Sequence, residues 1–361
     1  MTNFKLTSES NSKAGVVNAS IDIADVPAIP GLVFRRFRGP QEYPLMAGVI
    51  NSANMVDGVE EVEGVEEVAN LYDQLTNCDP YTDMLFAEID GEMVSFSRVW
   101  WRIDGEGNRV YWHLAYLKPP WRRRGIGRVL LHWNERRLQQ IAVDHDSSTP
   151  AYFQAFIQDT ALGANALLKQ EGYTPVRYFH FMQRRGLEDL PEAPLPAGIE
   201  LRPVQPEHLR LIWETKEEAF QDHWGFAPGS ESDYRRWVSD PTHDFSLWLV
   251  AWQDTQVVGT SINVIFPEDN ARYGFLRGEI HTVGVRRPWR GCGLGRALIV
   301  ESLRVLRARG MTEAVLGVDS DSLTGALRLY VSVGFRTIAQ DMVMRKPFAC
   351  IRDDPQENRT K

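Results

Sequence analysis

The sequence predicts a mixed α/β fold laid down twice in tandem. Three observations carry this. The chain has 361 residues, about twice the length of an ordinary domain. The segment Trp121–Arg128, WRRRGIGR, returns 168 residues later as Trp289–Arg296, WRGCGLGR. On both sides of each copy, strand-like alternation passes into helical periodicity, the order of a mixed sheet with crossover helices.

Composition narrows the class. With 43% apolar residues, 11 Trp and 16 Phe, the chain can fill two cores, which excludes wholesale disorder. Its 28 Gly and 20 Pro are near average usage and exclude collagen-like or low-complexity architecture. The formal net charge of −8 argues against a dedicated nucleic-acid binder and suits a cationic small substrate. Cys78, Cys292 and Cys350 lie far apart, without a CxxC pair or a His cluster. That excludes a disulfide framework or a structural zinc and fits a reducing cytoplasm. The N-terminus has no apolar core of signal-peptide length, and no run of 18 apolar residues occurs, so no membrane association is expected.

Residues 1–28 and 349–361 read as polar tails, 29–185 and 199–348 as the two copies, and GLEDLPEAPLPAG (186–198) as the linker. Both copies open alike, with LVFRRFR from Leu32 and IELRPV from Ile199, each a short strand before a Pro-containing turn and a helical stretch. In the second copy helices are expected over 209–220 and 232–238. Strands are expected over 245–252 and 257–266, joined by a polar turn, and again over 278–285. Gly295, Leu298, Ile299, Ser302, Leu303 and Leu306 recur with the period of one buried helix face, which Gly310 ends. A strand (314–320), a short helix (324–333) and a last strand (335–344) complete the copy. In the first copy QAFIQ (154–158) and VWW (99–101) read as sheet core or interdomain packing.

A strand running into R-x-x-G-x-G at the start of a helix has a physical meaning. Gly293 and Gly295 let backbone approach a ligand, while the helix N-terminus presents unpaired N–H groups and the positive end of its dipole. Arg290 and Arg296 add positive charge beside this cradle for phosphate. The loop lacks the GKS or GKT of a nucleotide triphosphatase, and no GxGxxG follows the first strand.

Together, V-x-x-P-W-R-x-x-G-x-G-R-A-L (285–298) and S-L-T-G-A-L-R-L-Y-V-S-V-G-F (322–335) resemble the acyl-CoA-binding core of the GNAT N-acetyltransferase superfamily. The resemblance spans about 199–344 strongly and 32–183 more loosely. The tandem arrangement is similar to that of the mycothiol synthase group, in which one half can be catalytically degenerate. It implies acetyl-CoA as co-substrate, no metal, and direct transfer to a small-molecule amine in the second half, by a monomer or homodimer. The backbone of Arg290, Gly291, Cys292, Gly293, Leu294, Gly295 and Arg296 would anchor the pyrophosphate, and Val283, Gly284 and Val285 the thioester carbonyl. Tyr330 matches the family tyrosine that protonates the departing thiolate. Glu279 matches the catalytic glutamate, with His281 as the alternative base. Strand alternation puts Glu279, His281 and Val283 on one face. Ser322 stands where the family often has an Asn on the pantetheine arm, which leaves part of that contact unmatched. Cys292 is either a low-pKa thiol or a tolerated small residue.

The first copy keeps Arg122, Gly125 and Gly127 of the loop. Counting back from Gly172 places Leu168 at the Tyr330 position, and counting back from Leu117 places Tyr111 and His113 at the Glu279 and His281 positions. Leu168 cannot protonate a thiolate and Tyr111 is a poor base near neutral pH, so the first half would hold CoA, shape the substrate cleft or be purely structural. The acidic run 57–74 is open to two readings, a cleft lining for a cationic amine or an exposed helix face; residues 222–226 are a second candidate lining. From another class, a non-catalytic acyl-CoA-binding or regulatory module has no use for Tyr330 and Glu279 at these spacings. A nucleic-acid-directed acetyltransferase lacks its basic stripe. No Ser-His-Asp or Cys-His set suggests a covalent acyl-enzyme.

Overall fold

Alternating apolar and polar residues give twelve strands among the described residues, and all twelve join one sheet. The computed structural model describes residues 21, 23, 25–146, 148–322 and 325–348. The first copy runs β1 (Leu32–Arg35), α1 (Tyr43–Asp57), α2 (Val65–Tyr72), β2 (Met84–Ile89), β3 (Glu92–Ile103), β4 (Arg109–Leu117), α3 (Ile126–Ala142), β5 (Ala151–Gln158), α4 (Leu162–Gln170) and β6 (Thr174–Arg185). The second runs β7 (Glu200–Arg202), α5 (Leu209–Phe220), α6 (Glu231–Val238), β8 (Leu249–Gln253), β9 (Gln256–Val264), α7 (Pro267–Tyr273), β10 (Arg277–Val285), α8 (Leu294–Ala308), β11 (Glu313–Asp319), α9 (Ala326–Ser332) and β12 (Arg336–Pro347).

The sheet order is β1-β2-β3-β4-β5-β12-β6-β11-β10-β9-β8-β7. The closing strands are therefore exchanged. β6, from the first copy, pairs with β11 of the second, and β12, from the second, pairs with β5 of the first. The two meet antiparallel at the centre. In each half the parallel crossover pair holds only briefly: β4 and β5 pair from Arg109/Ala151 to Trp112/Gln154, and β10 and β11 from Arg277/Glu313 to Glu279/Val315. Beyond those points the strands diverge.

α8 buries Leu298, Ile299, Leu303 and Leu306 against β10, β11 and α9. Gly278 lets α8 pack closely, because a Cβ there would lie 2.4 Å from the Leu306 side chain and force it to move. Ser302, the polar member of the stripe, stays satisfied in the core by bonds of 2.8 Å to the Leu298 carbonyl and to Ser261 Oγ.

Two expectations differ. The strand expected from Phe245 begins only at Leu249. Asp244 accepts from the Ser246 N–H and turns Phe245–Leu247 into a 3-10 turn. The expected tail reaches 28, yet Ile23 is buried with Leu85, Ala87 and Ile126, and the Ile21 N–H donates to the Phe34 carbonyl at 2.9 Å. Ile21 and Ile23, two positions apart, both pack on this core. Most of both expected tails lies outside the described residues. The linker also packs down, with Leu187 and Ala193 buried in the second core.

Candidate active site

At the end of β10 the chain turns through Arg290–Gly293 into α8. Gly291 (φ 77°) and Gly293 (φ 95°) both adopt the left-handed conformation, and nothing lies within 4 Å of where a Cβ on either would sit. The N–H groups from Gly291 to Arg296 have no acceptor among the described residues. An open row of donors at the head of a fifteen-residue helix fits a pyrophosphate.

Arg290 does a different job from adding charge to that row. Its Nε donates to the Val285 carbonyl at 3.0 Å, Nη1 to Asp222 at 2.7 Å and Nη2 to the Ala219 carbonyl at 2.8 Å. The side chain is a strut between the loop and the end of α5. Hydrogen bonds from Arg287 and Arg290 hold the Asp222 carboxyl well below the usual carboxylate range. The first half repeats the device: Arg122 grips Asp57 with bonds of 2.6 and 2.8 Å and donates to the Leu117 carbonyl. Arg296 bonds Ser332 Oγ at 2.7 Å, Cys292 is exposed with its thiol directed at the Trp289 carbonyl, and Leu294 is buried.

A one-residue bulge in β10 shapes the rest of the site. Ile280 pairs with Asn263 and Thr282 with Ile262, which leaves His281 without a partner on β9. The extra residue reverses the strand's faces, so Val283 packs on α8 with Leu294 and Leu298, away from Glu279. Simple alternation put Val283 beside Glu279; the bulge overturns that part and keeps Glu279 and His281 adjacent. His281 Nδ1 lies 2.9 Å from Glu279 Oε1. That hydrogen bond raises the imidazole above its ordinary value, against the opposing effect of desolvation. Past Glu279, β11 no longer pairs with β10, so the edge through Val283, Gly284 and Val285 faces the gap. Gly284 lets α5 approach: a Cβ there would sit 3.0 Å from Ala219 Cβ.

Tyr330 lies on α9, 9% exposed, edge-on to Phe335 at 6.1 Å. Burial pushes its phenol up to about 12, so it carries its proton at neutral pH. The end of α9 is held by Arg184 of β6, which donates to the Val333 carbonyl. Ser322 lines a cavity of about 390 Å³ with Asp222, His223, Trp224, Asp319 and Arg177, where the ends of α5 and β11 meet.

The first half contributes something that sequence reasoning left unresolved. Between α1 and α2, residues 58–64 cross onto the second half. The Val62 N–H donates to Asp269 Oδ1 at 2.8 Å, Tyr273 Oη to the Val59 carbonyl at 3.1 Å, and Arg277 to Glu60 at 2.8 Å. Glu61 thereby lines a recess of about 30 Å³ with Glu279, Asp269 and Phe181. Desolvation, then the charges of Glu279 and Asp269, raise Glu61 to about 7. Desolvation, then Glu67 and Asp269, raise Glu63 to about 7. Burial beside Asp159 raises Asp341 to about 6. The run 57–74 is thus no continuous helix face but a docked loop and a short helix.

The bulge also corrects the pairing of the two copies. The β3–β4 ladder runs unbroken from Ser95/Leu117 to Ile103/Arg109. Trp112 and Glu279 are each the last residue paired to the parallel neighbour, so Trp112, not Tyr111, stands at the Glu279 position. Tyr111 faces the other way, buried with Phe153 and bonded to His145 Nδ1 at 2.9 Å. His113 is buried, bonded to Tyr173 Oη at 2.8 Å, and desolvation lowers it to about 3. Leu168 keeps the Tyr330 position, since Leu167 and Leu329 touch the second loop glycines, Gly127 and Gly295, alike. At Gly125 a Cβ would sit 3.4 Å from Pro27, so that cradle is partly lidded.

The model of the acetyltransferase (GNAT) family matches residues 54–168 and 208–335. A mycothiol acetyltransferase of Geodermatophilus obscurus is 27% identical over 267 residues, 73% of this chain and 82% of the relative. One of Thermomonospora curvata is 32% identical over 236 residues, 64% and 72% respectively. Among solved structures, a GCN5-related N-acetyltransferase from Sphaerobacter thermophilus superposes with a TM-score of 0.63 at 29% identity, covering 88% of this chain and 96% of that one. No helix among the described residues is long and apolar enough to cross a membrane. Matched in both halves by the family model, the chain belongs to the acetyltransferase (GNAT) family.

Proposed function

We propose that the second half transfers an acetyl group from acetyl-CoA to a primary amine of a small molecule, by direct transfer. The observation that carries this is the open N–H row of Gly291–Arg296 beside a bulged strand that presents Glu279 and His281. In this reading the loop holds the pyrophosphate, Ser322 the pantetheine arm, and the β10 edge at Val283–Val285 the thioester carbonyl. The amine nitrogen bonds the acetyl carbon as the C–S bond breaks. Its proton passes to the Glu279–His281 pair, and Tyr330 gives its own to the thiolate. Glu279 is the base because it lines the recess, and the bulge leaves His281 beside it to share the proton. The first half, with Trp112 and Leu168 at the working positions, supplies the crossing loop; Arg122, Gly125 and Gly127 keep a cradle there that is proposed to hold CoA without reacting.

The test is CoA release from acetyl-CoA across a panel of amines, beside Tyr330→Phe. The first member is the amine acetylated by the mycothiol acetyltransferase relatives. Release that requires an amine and collapses in the variant supports the proposal. CoA binding without release from any amine favours the non-catalytic binding module.

A further inference from the structure

We infer that the first half carries a second ligand site, distinct from the acetyl-transfer centre, that takes a carboxylate on a planar apolar body through Arg98. The residue lies on β3, opposite Leu114 of β4 and one pair along from Trp100 and Trp112. It is 7% exposed. No carboxylate reaches it within ion-pairing distance among the described residues, and its buried Nε and Nη1 have no acceptor. Removing one partner of a buried charge is among the costliest things a fold can do, so a guanidinium placed here calls for an anion.

No described residue provides that anion. Two rings lie over the cation, Trp100 at 4.5 Å and Tyr72 at 5.0 Å from their centroids. Such contacts offset part of the desolvation and leave the edges, where the N–H bonds point, unpaired. Its neighbours Tyr72 and Cys78 are both pushed up to about 12 by burial and stay neutral. A carboxylate matches the guanidinium fork with two parallel bonds. Beside it, Trp100 and Trp112 stack with centroids 5.6 Å apart and planes 11° from parallel, half-buried, as a flat apolar wall.

Comparison with the second half explains the inversion. Trp112 stands where Glu279 stands there, and Arg98 where Ile262 does. One copy presents a carboxylate to its groove; the other has an aromatic there and a cation one pair along.

The test uses the full chain saturated with CoA, so that the glycine loops are filled, and 4-fluorobenzoate followed by fluorine NMR. Saturable binding is expected, with 4-fluorobenzamide, neutral and of the same shape, failing to bind. Arg98→Met weakens the affinity about tenfold or more, the scale of a charged hydrogen-bonded pair. Trp112→Leu weakens it as well. If Arg98→Met does not fold, Arg98→Lys keeps the charge but loses the fork and weakens binding several-fold. No saturable binding, equal binding of the amide, or unchanged affinity in the folded Arg98 variant overturns the proposal. Acetyl transfer is scored separately by CoA release, so failure here leaves the proposed reaction standing.

Discussion

His281 and Glu279 share a hydrogen bond of 2.9 Å across a strand bulge, with His281 lifted above its ordinary value by its partner. Because the folded value is the higher one, the pair stabilises the fold fully below about pH 6.5 and loses that contribution as pH rises through the folded value. Glu279→Gln should lower the His281 value in an NMR titration. It should also shift the acid limb of the pH–rate profile to lower pH and reduce kcat. An unmoved imidazole would show the two groups to be uncoupled in solution.

Tyr330→Phe removes a hydroxyl and leaves the packing of α9 against Phe335 in place. We expect kcat to fall by about 10² or more, the scale of lost general-acid catalysis, with KM for acetyl-CoA nearly unchanged. Steady-state CoA release measures both. A wild-type kcat would mean that the thiolate takes its proton from elsewhere.

Asp222 and Arg290 hold the glycine loop from the side. Asp222→Asn and Arg290→Met should each raise KM for acetyl-CoA by about tenfold and spare the melting temperature. Their double variant should cost little more than either single one, because both break the same strut. Additive effects would assign Arg290 to the ligand itself.

The crossing loop predicts a pH-dependent stability. Glu61 and Glu63 both stand near 7 in the fold, above their ordinary value of 4.5. Carboxyls raised in this way stabilise the fold while protonated, and that contribution drains away as pH climbs from about 4.5 through 7. Glu61→Gln should therefore raise the melting temperature at pH 8 more than at pH 5. Equal shifts at the two values, read by thermal melts, would place the carboxyl in ordinary solvent.

Much of this was legible in the residues. The stripe from Leu298 to Leu306 marked α8, because one buried helix face repeats regularly. The bulge at His281 was not legible, since an unpaired residue arises from the ladder with β9 and leaves no mark on composition. That single residue is why counting led to Tyr111 in place of Trp112. The acidic run before α2 posed a different difficulty: its placement depends on Asp269, some two hundred positions away, accepting the Val62 N–H. The orphaned Arg98 was likewise invisible, because one arginine in an alternating strand reads as a solvated position until its neighbours are known.

The exchange of β6 and β12 bears on how such a chain came to exist. Separate the two copies at the loop before β7 and each fragment still holds the other's missing strand, seven paired residues deep on either side of the centre. That is the handshake of a strand-swapped homodimer, with one crossing strand joined to the start of the second subunit. In one chain such a partnership is permanent, and the partners need not be alike. One side can then keep the pair proposed for acetyl transfer, Glu279 and His281, while Trp112 and Arg98 stand at the matching places of the other.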